Sequence, residues 1–327
     1  MNSILVTFPQ GLGDSIQCLP SIDKLVQYFP NHKINLACPE FLVDLYKYYL
    51  PNLNVFSCKN IKKYKRKEYQ WFIDLASTDW SFELKEHIRY KHIAYHKFYT
   101  CKKNQDFKSK IIIDDKEFDA TTFNILDKAD DNLYDKPAWT LEAEVISKII
   151  DLDIDKWIAE GVSPKFIIKD TFVKADTILL LPGGIGKERK WPHENFRELI
   201  KQLTNKGKAI DVVLGPAEAG IAPFYKAISG LNVFDNLSLL QLSKKILLSK
   251  YIITQDCGLM HLACTLGKPV LAIFGPTNEN CWFTYNGEDQ KVIRKGKMIK
   301  SGFVKNVDWT DWPTVEEVIK EIPKQYL

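Results

Sequence analysis

Asp256, Cys257, Gly258 and His261 fall where a short apolar run gives way to a helical repeat, the position at which an open α/β sheet places its ligand chemistry. Tyr251 to Thr254 reads as a buried strand ending at Gln255-Asp256. Leu259, Leu262, Ala263 and Leu266 follow at helical spacing, Gly267 stops the helix, and Val270 to Phe274 is a second buried strand. The first N–H groups of such a helix have no internal partner and favour an anion. Gly258 has no side chain to hold a ligand off the backbone, and His261 lies one turn in, on the side facing the ligand. The chemistry this suggests is the binding of a diphosphate.

Two further loops carry the same logic. Gly11-Leu12-Gly13-Asp14 follows a buried strand and precedes a helix, but Ile16 stands where a dinucleotide fingerprint needs its third glycine. Asp14 is then either a helix N-cap or a carboxylate on the ligand side of the loop. Pro182-Gly183-Gly184 ends another apolar run, with Lys187, Arg189 and Lys190 just beyond it. It is not a Walker loop, since Leu181 and Glu188 occupy the positions of its first glycine and its Ser/Thr. These cations are either an exposed basic turn or phosphate contacts, and their place at a strand end favours the contacts. The Asp151-Leu-Asp153-Ile-Asp155 run has the D-x-D spacing of a metal site, yet it follows a helix and reads as a solvated connector. No metal and no cofactor is therefore expected.

The elements that must position these residues alternate along the chain. Strands are predicted at 4–8, 33–38, 54–57 and 71–75, and helices after the first glycine loop and at 39–49 and 139–150. Pro20 interrupts the first helix, which must be short or bent. Residues 151–176 read as a connector with a strand near 166–168. Strands at 177–181, 210–214, 233–234, 251–254 and 270–274 then alternate with helices at 194–205, 222–228 and 239–248. Thr314 caps a terminal helix over 314–326. Alternation of this kind implies parallel sheets built from βαβ units. With 327 residues the expectation is α/β, two Rossmann-like domains facing across a cleft, 1–165 and 166–327, the last helix packing back on the first domain.

Bulk composition narrows the class. An apolar content of 45% is ordinary for a globular protein, and no apolar run approaches the 18 or so residues of a membrane span. Pro9 cuts the first apolar stretch and no basic leader precedes it, so no signal peptide is expected. Seven cysteines without a C-x-x-C pair suit free thiols in a reducing compartment, the cytoplasm. Net charge is +4, but between Lys59 and Lys110 fourteen Lys/Arg stand against six Asp/Glu, a local +8 that leaves −4 elsewhere. That stretch is either a solvated lysine face or a surface drawn to an anionic acceptor or membrane, each basic residue adding roughly 1 kcal/mol. Nothing in it marks a nucleic-acid reader.

The run D-C-G-L-M-H-L-A-x-x-L-G-K-P-V-x-A-I-F-G-P-T resembles the D-[ST]-G-x-x-H-L signature of the ADP-heptose:lipopolysaccharide heptosyltransferases, glycosyltransferase family 9. The opening strand with G-L-G-D, and the segment from Ile178 through K-W-P, resemble two further family segments in the proper order. The resemblance implies the GT-B fold and inverting, metal-independent transfer of heptose from ADP-heptose to an acceptor hydroxyl, of the lipopolysaccharide inner core. It implies Asp14 as catalytic base and donor contacts at Gly13, Gly183, Gly184, Arg189, Lys190, Glu218, Leu237, Asp256, Cys257, Gly258 and His261. Among these, Glu218 would grip the ribose and Leu237 pack on adenine. Cys257 stands where the family has Ser/Thr, Phe8 where it usually has Arg, and residues 59–135 match nothing. Other readings on the same scaffold are a different sugar donor, a protein acceptor, or a nucleotide-sugar epimerase. As a peripheral cytoplasmic enzyme it would meet its acceptor at the inner membrane.

Overall fold

Each half of the chain winds its apolar runs into a sheet of its own, Met1–Pro164 and Lys165–Leu327. The computed structural model describes residues 2–9, 11–63, 67–100, 107–120, 136–172, 175–283, 285, 287–299 and 307–327.

The first unit opens with β1 (Ser3–Thr7), whose Ile4, Leu5 and Val6 are wholly buried. Two short helices follow, α1 (Leu12–Gln17) and α2 (Leu19–Tyr28), jointed at Cys18. Pro20 lies in the first turn of α2, where its missing N–H breaks no helical bond, so the interruption read from the sequence is this joint. Next come β2 (Lys33–Cys38), α3 (Val43–Tyr49), β3 (Asn54–Ser57), β4 (Glu68–Asp74), α4 (Asp79–Lys85), β5 (Arg89–Thr100), β6 (Phe107–Ile113), β7 (Lys116–Asp119), α5 (Thr140–Ile149) and α6 (Ile154–Ala159). The sheet order is β3-β2-β1-β4-β5-β6-β7.

Two expectations need correction here. The sheet is parallel only from β3 to β5, and β6 and β7 turn back antiparallel. Only Asp114-Asp115 separates β6 from β7, with Asp114 at φ 53°, and a parallel crossover needs a dozen residues or more. No strand forms near 166–168 either: Phe166 buries its ring and gives its N–H to the Thr265 carbonyl, 2.9 Å away. The D-x-D run is used locally. Asp153 caps α6 by accepting from Asp155 N and Lys156 N, and Asp155 pairs with Lys136 at 2.8 Å. Among the described residues no group of three or more His, Cys, Asp or Glu is placed to hold a metal ion.

The second unit holds β8 (Thr177–Leu181), α7 (His193–Asn205), β9 (Ala209–Val213), α8 (Ala222–Lys226), β10 (Asn232–Phe234), α9 (Leu239–Leu248), β11 (Tyr251–Gln255), α10 (Gly258–Thr265), β12 (Val270–Phe274), α11 (Glu279–Trp282), β13 (Gln290–Arg294) and α12 (Val315–Glu321). All its strands run parallel, in the order β10-β9-β8-β11-β12-β13. Helices cover both faces, so β8, β11 and β12 read as nearly unbroken apolar runs. The edge strand β13 is only half-buried, and its mixed QKVIR pattern gave no such signal. Thr314 caps α12 by accepting from Glu317 N, and Val315, Val318 and Ile319 enter the second unit's own core with Phe196 and Leu199 of α7. α12 thus packs within the core of the second unit.

Both sheets share one consequence of winding. Chain order reverses beside the first strand of each, so crevices open at the carboxyl ends of β1 and β4 and of β8 and β11.

Candidate active site

In the second unit the crevice is built by three loops tied together from beneath. Gln255, wholly buried at the end of β11, donates to the carbonyls of Pro182 (2.8 Å) and Gly183 (3.2 Å) and accepts from Trp191 N–H at 2.8 Å. One amide therefore fixes both ends of the loop after β8. Trp191 anchors the far end, fully buried, with its indole N–H on the Pro313 carbonyl. Glu218, 5% exposed, joins the second loop to the first: Oε1 accepts from Gly184 N at 3.0 Å and Oε2 from Gly215 N at 3.2 Å. A Cβ at Gly183 would sit 2.7 Å from Glu218 Oε2, so the loop closes on the carboxylate only with glycine there. Lys190 Nζ stands 3.7 Å from Glu218 Oε1.

Gly186, at φ 101°, makes the turn that brings Arg189 back over the loop, Nη2 on the Ile185 carbonyl at 2.7 Å. Arg189 Nη1 stands 3.8 Å from Asp256 Oδ2. Asp256 is 3% exposed; burial raises its pKa and the Arg189 guanidinium opposes that rise. Arg189 Nε is buried and has no hydrogen-bond partner among the described residues, while the Asp256 carboxylate has the Arg189 guanidinium 3.8 Å away and the Thr277 hydroxyl, after β12, beside it, and both oppose the rise in its pKa. Buried polar atoms are nearly always satisfied, so the unsatisfied Arg189 Nε at a strand end suits a polar ligand. A guanidinium suits phosphoryl oxygens, while a carboxylate and a hydroxyl suit sugar hydroxyls.

The helix start at 258 behaves as the sequence suggested, and its flanking side chains less simply. Cys257 occupies the N-cap position of α10 with extended backbone and no side-chain cap, and Gly258 begins the helix. The Cys257 thiol packs 3.7 Å from Thr254 Oγ1, and burial raises its pKa. It is an inward-packed group, not a polar arm. His261 is 4% exposed, its Nδ1 2.7 Å from the Tyr285 hydroxyl and its ring against Trp282 and Tyr285. Burial, reinforced by Arg189, pushes its pKa down to about 3, so the ring is neutral at physiological pH and adds no charge to an anion site. Leu237 is half-buried on the loop between β10 and α9. The second unit thus gathers Gly183, Gly184, Arg189, Lys190, Glu218, Asp256, Cys257 and Gly258 at its strand ends.

Gly13 and Asp14 lie in the first unit. Gly11 occupies the N-cap position of α1, and Asp14 is the third helical residue, exposed, its carboxylate folded over Gly11. Asp14 is therefore not the N-cap. It lines a cavity of about 520 Å³ together with Pro9, Gly11, Ala76, Thr78 and Asp79, at the ends of β1 and β4. Phe8, at the position where the resembled family usually has Arg, is wholly buried edge-on against Tyr46 and belongs to the core.

Behind Asp14, on α5, lies a carboxyl that the sequence did not announce. Glu142 is 8% exposed and its Oε2 has no hydrogen-bond partner among the described residues. Burial raises its pKa well above the carboxylate range, its own backbone N–H opposes this, and the Asp14 charge adds to it. A folded-state pKa above the unfolded one means the native chain holds a proton the unfolded chain releases, so stability falls as pH rises past the ordinary carboxylate value. Glu142→Gln removes that loss. In urea unfolding at pH 5 and pH 8, the variant is expected to gain on wild type by more than about 1 kcal/mol between the two. A difference independent of pH would mean that Glu142 is ionised in the native state.

Residues 142–305, about half the chain, match the family model of glycosyltransferase family 9 (heptosyltransferase). The chain is 30% identical to lipopolysaccharide heptosyltransferase 2 of Salmonella typhimurium over 182 residues, 46% of this chain and 50% of the relative. The match thus spans about half the length of that curated protein. The solved structure of the E. coli ADP-heptose lipopolysaccharide heptosyltransferase II superposes with a TM-score of 0.68 at 17% identity, covering 98% of this chain and 97% of that one. The E. coli heptosyltransferase WaaC with ADP gives 0.64 at 16% identity, covering 99% and 100%. At such identities the structural likeness shows a shared fold, the GT-B class.

Proposed function

The chain belongs to glycosyltransferase family 9, and from that premise we propose that it transfers heptose from ADP-heptose to a hydroxyl of the lipopolysaccharide inner core. The proposed transfer inverts the anomeric centre and uses no metal. The observation that carries the donor half is the buried Arg189 Nε, without a hydrogen-bond partner among the described residues, beside the Asp256 carboxylate and the uncapped start of α10. A sugar diphosphate offers both the oxygens and the hydroxyls these atoms need. A relative crystallised with ADP supports an adenine nucleotide as the carrier.

In the proposed reaction the acceptor oxygen attacks the anomeric carbon from the face opposite the diphosphate. Asp14 takes the hydroxyl proton as the new C–O bond forms. The bond to the β-phosphate oxygen breaks, and its electron pair leaves with ADP. Arg189, Lys190 and the first N–H groups of α10 hold the charge that grows on that oxygen. Glu218 and Gln255 hold the loops in which those donors sit, and Glu218 retains lone pairs for ribose hydroxyls.

Among the described residues no helix is long and apolar enough to cross a membrane. The proposed acceptor is a membrane lipid, so the proposal includes peripheral contact with the cytoplasmic face of the inner membrane. The basic stretch from Lys59 to Lys110 would make that contact; its residues 64–66 and 101–106 lie outside the described residues.

The test supplies ADP-heptose with and without a heptose-deficient lipopolysaccharide core and follows ADP release and acceptor mass. Acceptor-dependent ADP with one heptose added is expected. ADP or a rearranged sugar released without acceptor would point to an epimerase, and turnover of UDP-sugars would overturn the donor. EDTA is expected to leave the rate within about twofold, because side-chain cations and a helix terminus hold the leaving charge. Strong inhibition would reinstate a metal.

A further inference from the structure

Tyr285 is 8% exposed, and its hydroxyl stands 2.7 Å from His261 Nδ1, a bond between residues 24 apart in the chain. The ring that carries this hydroxyl is itself fixed by packing. It meets the His261 ring at 5.8 Å between centroids and Phe283 edge-on at 5.8 Å. Phe283 in turn meets Phe274, the last residue of β12, edge-on at 6.1 Å. Trp282 of α11 also packs edge-on against the imidazole, at 6.5 Å. Aromatic rings thus hold both partners of the bond in place.

His261 is the fourth residue of α10, one turn past the uncapped start at Cys257. Burial, reinforced by the Arg189 charge, pushes its pKa down to about 3, so the ring carries one proton rather than two at physiological pH. Which nitrogen holds that proton is set by the bond the other nitrogen makes. A neutral imidazole nitrogen is a much stronger base than a phenol oxygen, and a phenol O–H is the better acid. The Tyr285 hydroxyl therefore donates, Nδ1 accepts, and the proton stays on Nε2. Nε2–H is then a donor without charge, close to a cation that would repel a charged one.

We propose that Tyr285 is a positioning residue of the donor site: by donating to Nδ1 it keeps the His261 proton on Nε2, and Nε2–H donates to a phosphoryl oxygen of the sugar nucleotide. This assignment rests on the transfer reading above and adds how an uncharged imidazole serves a diphosphate, as an oriented N–H beside the charge of Arg189. Tyr285 touches neither donor nor acceptor and takes no proton in the reaction. It acts through the tautomer of His261.

Two measurements on the full chain test this. Long-range ¹H–¹⁵N correlation spectra of the protein labelled with ¹⁵N-histidine distinguish a protonated ring nitrogen from a bare one, and His261→Gln identifies the signals of His261 among the six histidines. Wild type is expected to show Nδ1 bare and Nε2 protonated. Tyr285→Phe, which keeps the ring and loses the hydroxyl, is expected to show both tautomers. The second measurement is steady-state kinetics with varied ADP-heptose and a heptose-deficient core acceptor. Tyr285→Phe is expected to lower kcat/KM for the donor about tenfold, as loss of one hydrogen bond to a charged group does, and to leave the acceptor KM unchanged. In the His261→Gln background, whose amide N–H needs no tautomer, Tyr285→Phe is expected to cost less than about twofold. A wild type protonated at Nδ1, or a tautomer that Tyr285→Phe leaves unmoved, overturns the assignment whatever the chain transfers. An unchanged donor kcat/KM overturns it too, and so do equal losses in both backgrounds, since Tyr285 would then only pack. A wild type with the expected tautomer that releases no ADP with any core acceptor overturns the transfer reading, and this inference falls with it.

Discussion

Asp14→Asn is expected to lower kcat about 10²–10⁴-fold, the range that general-base assistance contributes, and to leave ADP affinity within about twofold. The amide keeps the size and most hydrogen-bonding shape of the carboxylate but cannot accept the hydroxyl proton. Asp14 is exposed in the first turn of α1 and is not its N-cap, so the change removes no cap and little stability. ADP is assigned to loops of the second unit, so its affinity should be indifferent. Single-turnover rates and ADP titration on the same preparation check both halves. A kcat within a few-fold of wild type would leave Asp14 as a lining residue only.

Arg189→Ala is the second large effect. Removing one preorganised donor from a developing oxyanion costs about 10²–10³ in kcat, and the same is expected here. Arg189 is better placed for this than its neighbour. It has a buried Nε without a hydrogen-bond partner among the described residues and opposes the raised pKa of Asp256, whereas Lys190 faces Glu218 at 3.7 Å. Lys190→Ala should therefore cost less, and Arg189→Lys should fall between, keeping the charge but not the fork. The donor KM should rise along with the fall in kcat, because the diphosphate is held before it leaves. Equal losses in both alanine variants would show that the charge is shared without regard to position.

Much of the fold was legible because it depends on short-range pattern. Lys33–Cys38, Asn54–Ser57, Leu239–Leu248 and Val270–Phe274 occur as read, being apolar runs or helical repeats bounded by turn residues. The interruption at Pro20 and the cap at Thr314 were equally local. The antiparallel extension β6–β7 was missed because strand direction depends on how far the connection can reach, not on the strands themselves. β13 was missed because an edge strand lacks the doubly buried run that marks its neighbours.

The candidate site divides the same way. Sequence alone determined which loops carry it: glycines and polar residues at strand ends, and a helix starting at Gly258, are set by contacts a few residues apart. Only the tertiary structure decided what each side chain does. Gln255 clamps Trp191 from 64 residues away, Glu218 bridges to Gly184 across 34, and Tyr285 reaches His261 across 24. His261, Asp256 and Glu142 have their pKa values shifted chiefly by burial. Desolvation and pairing between distant residues arise when the chain closes around them, and no local pattern encodes that environment.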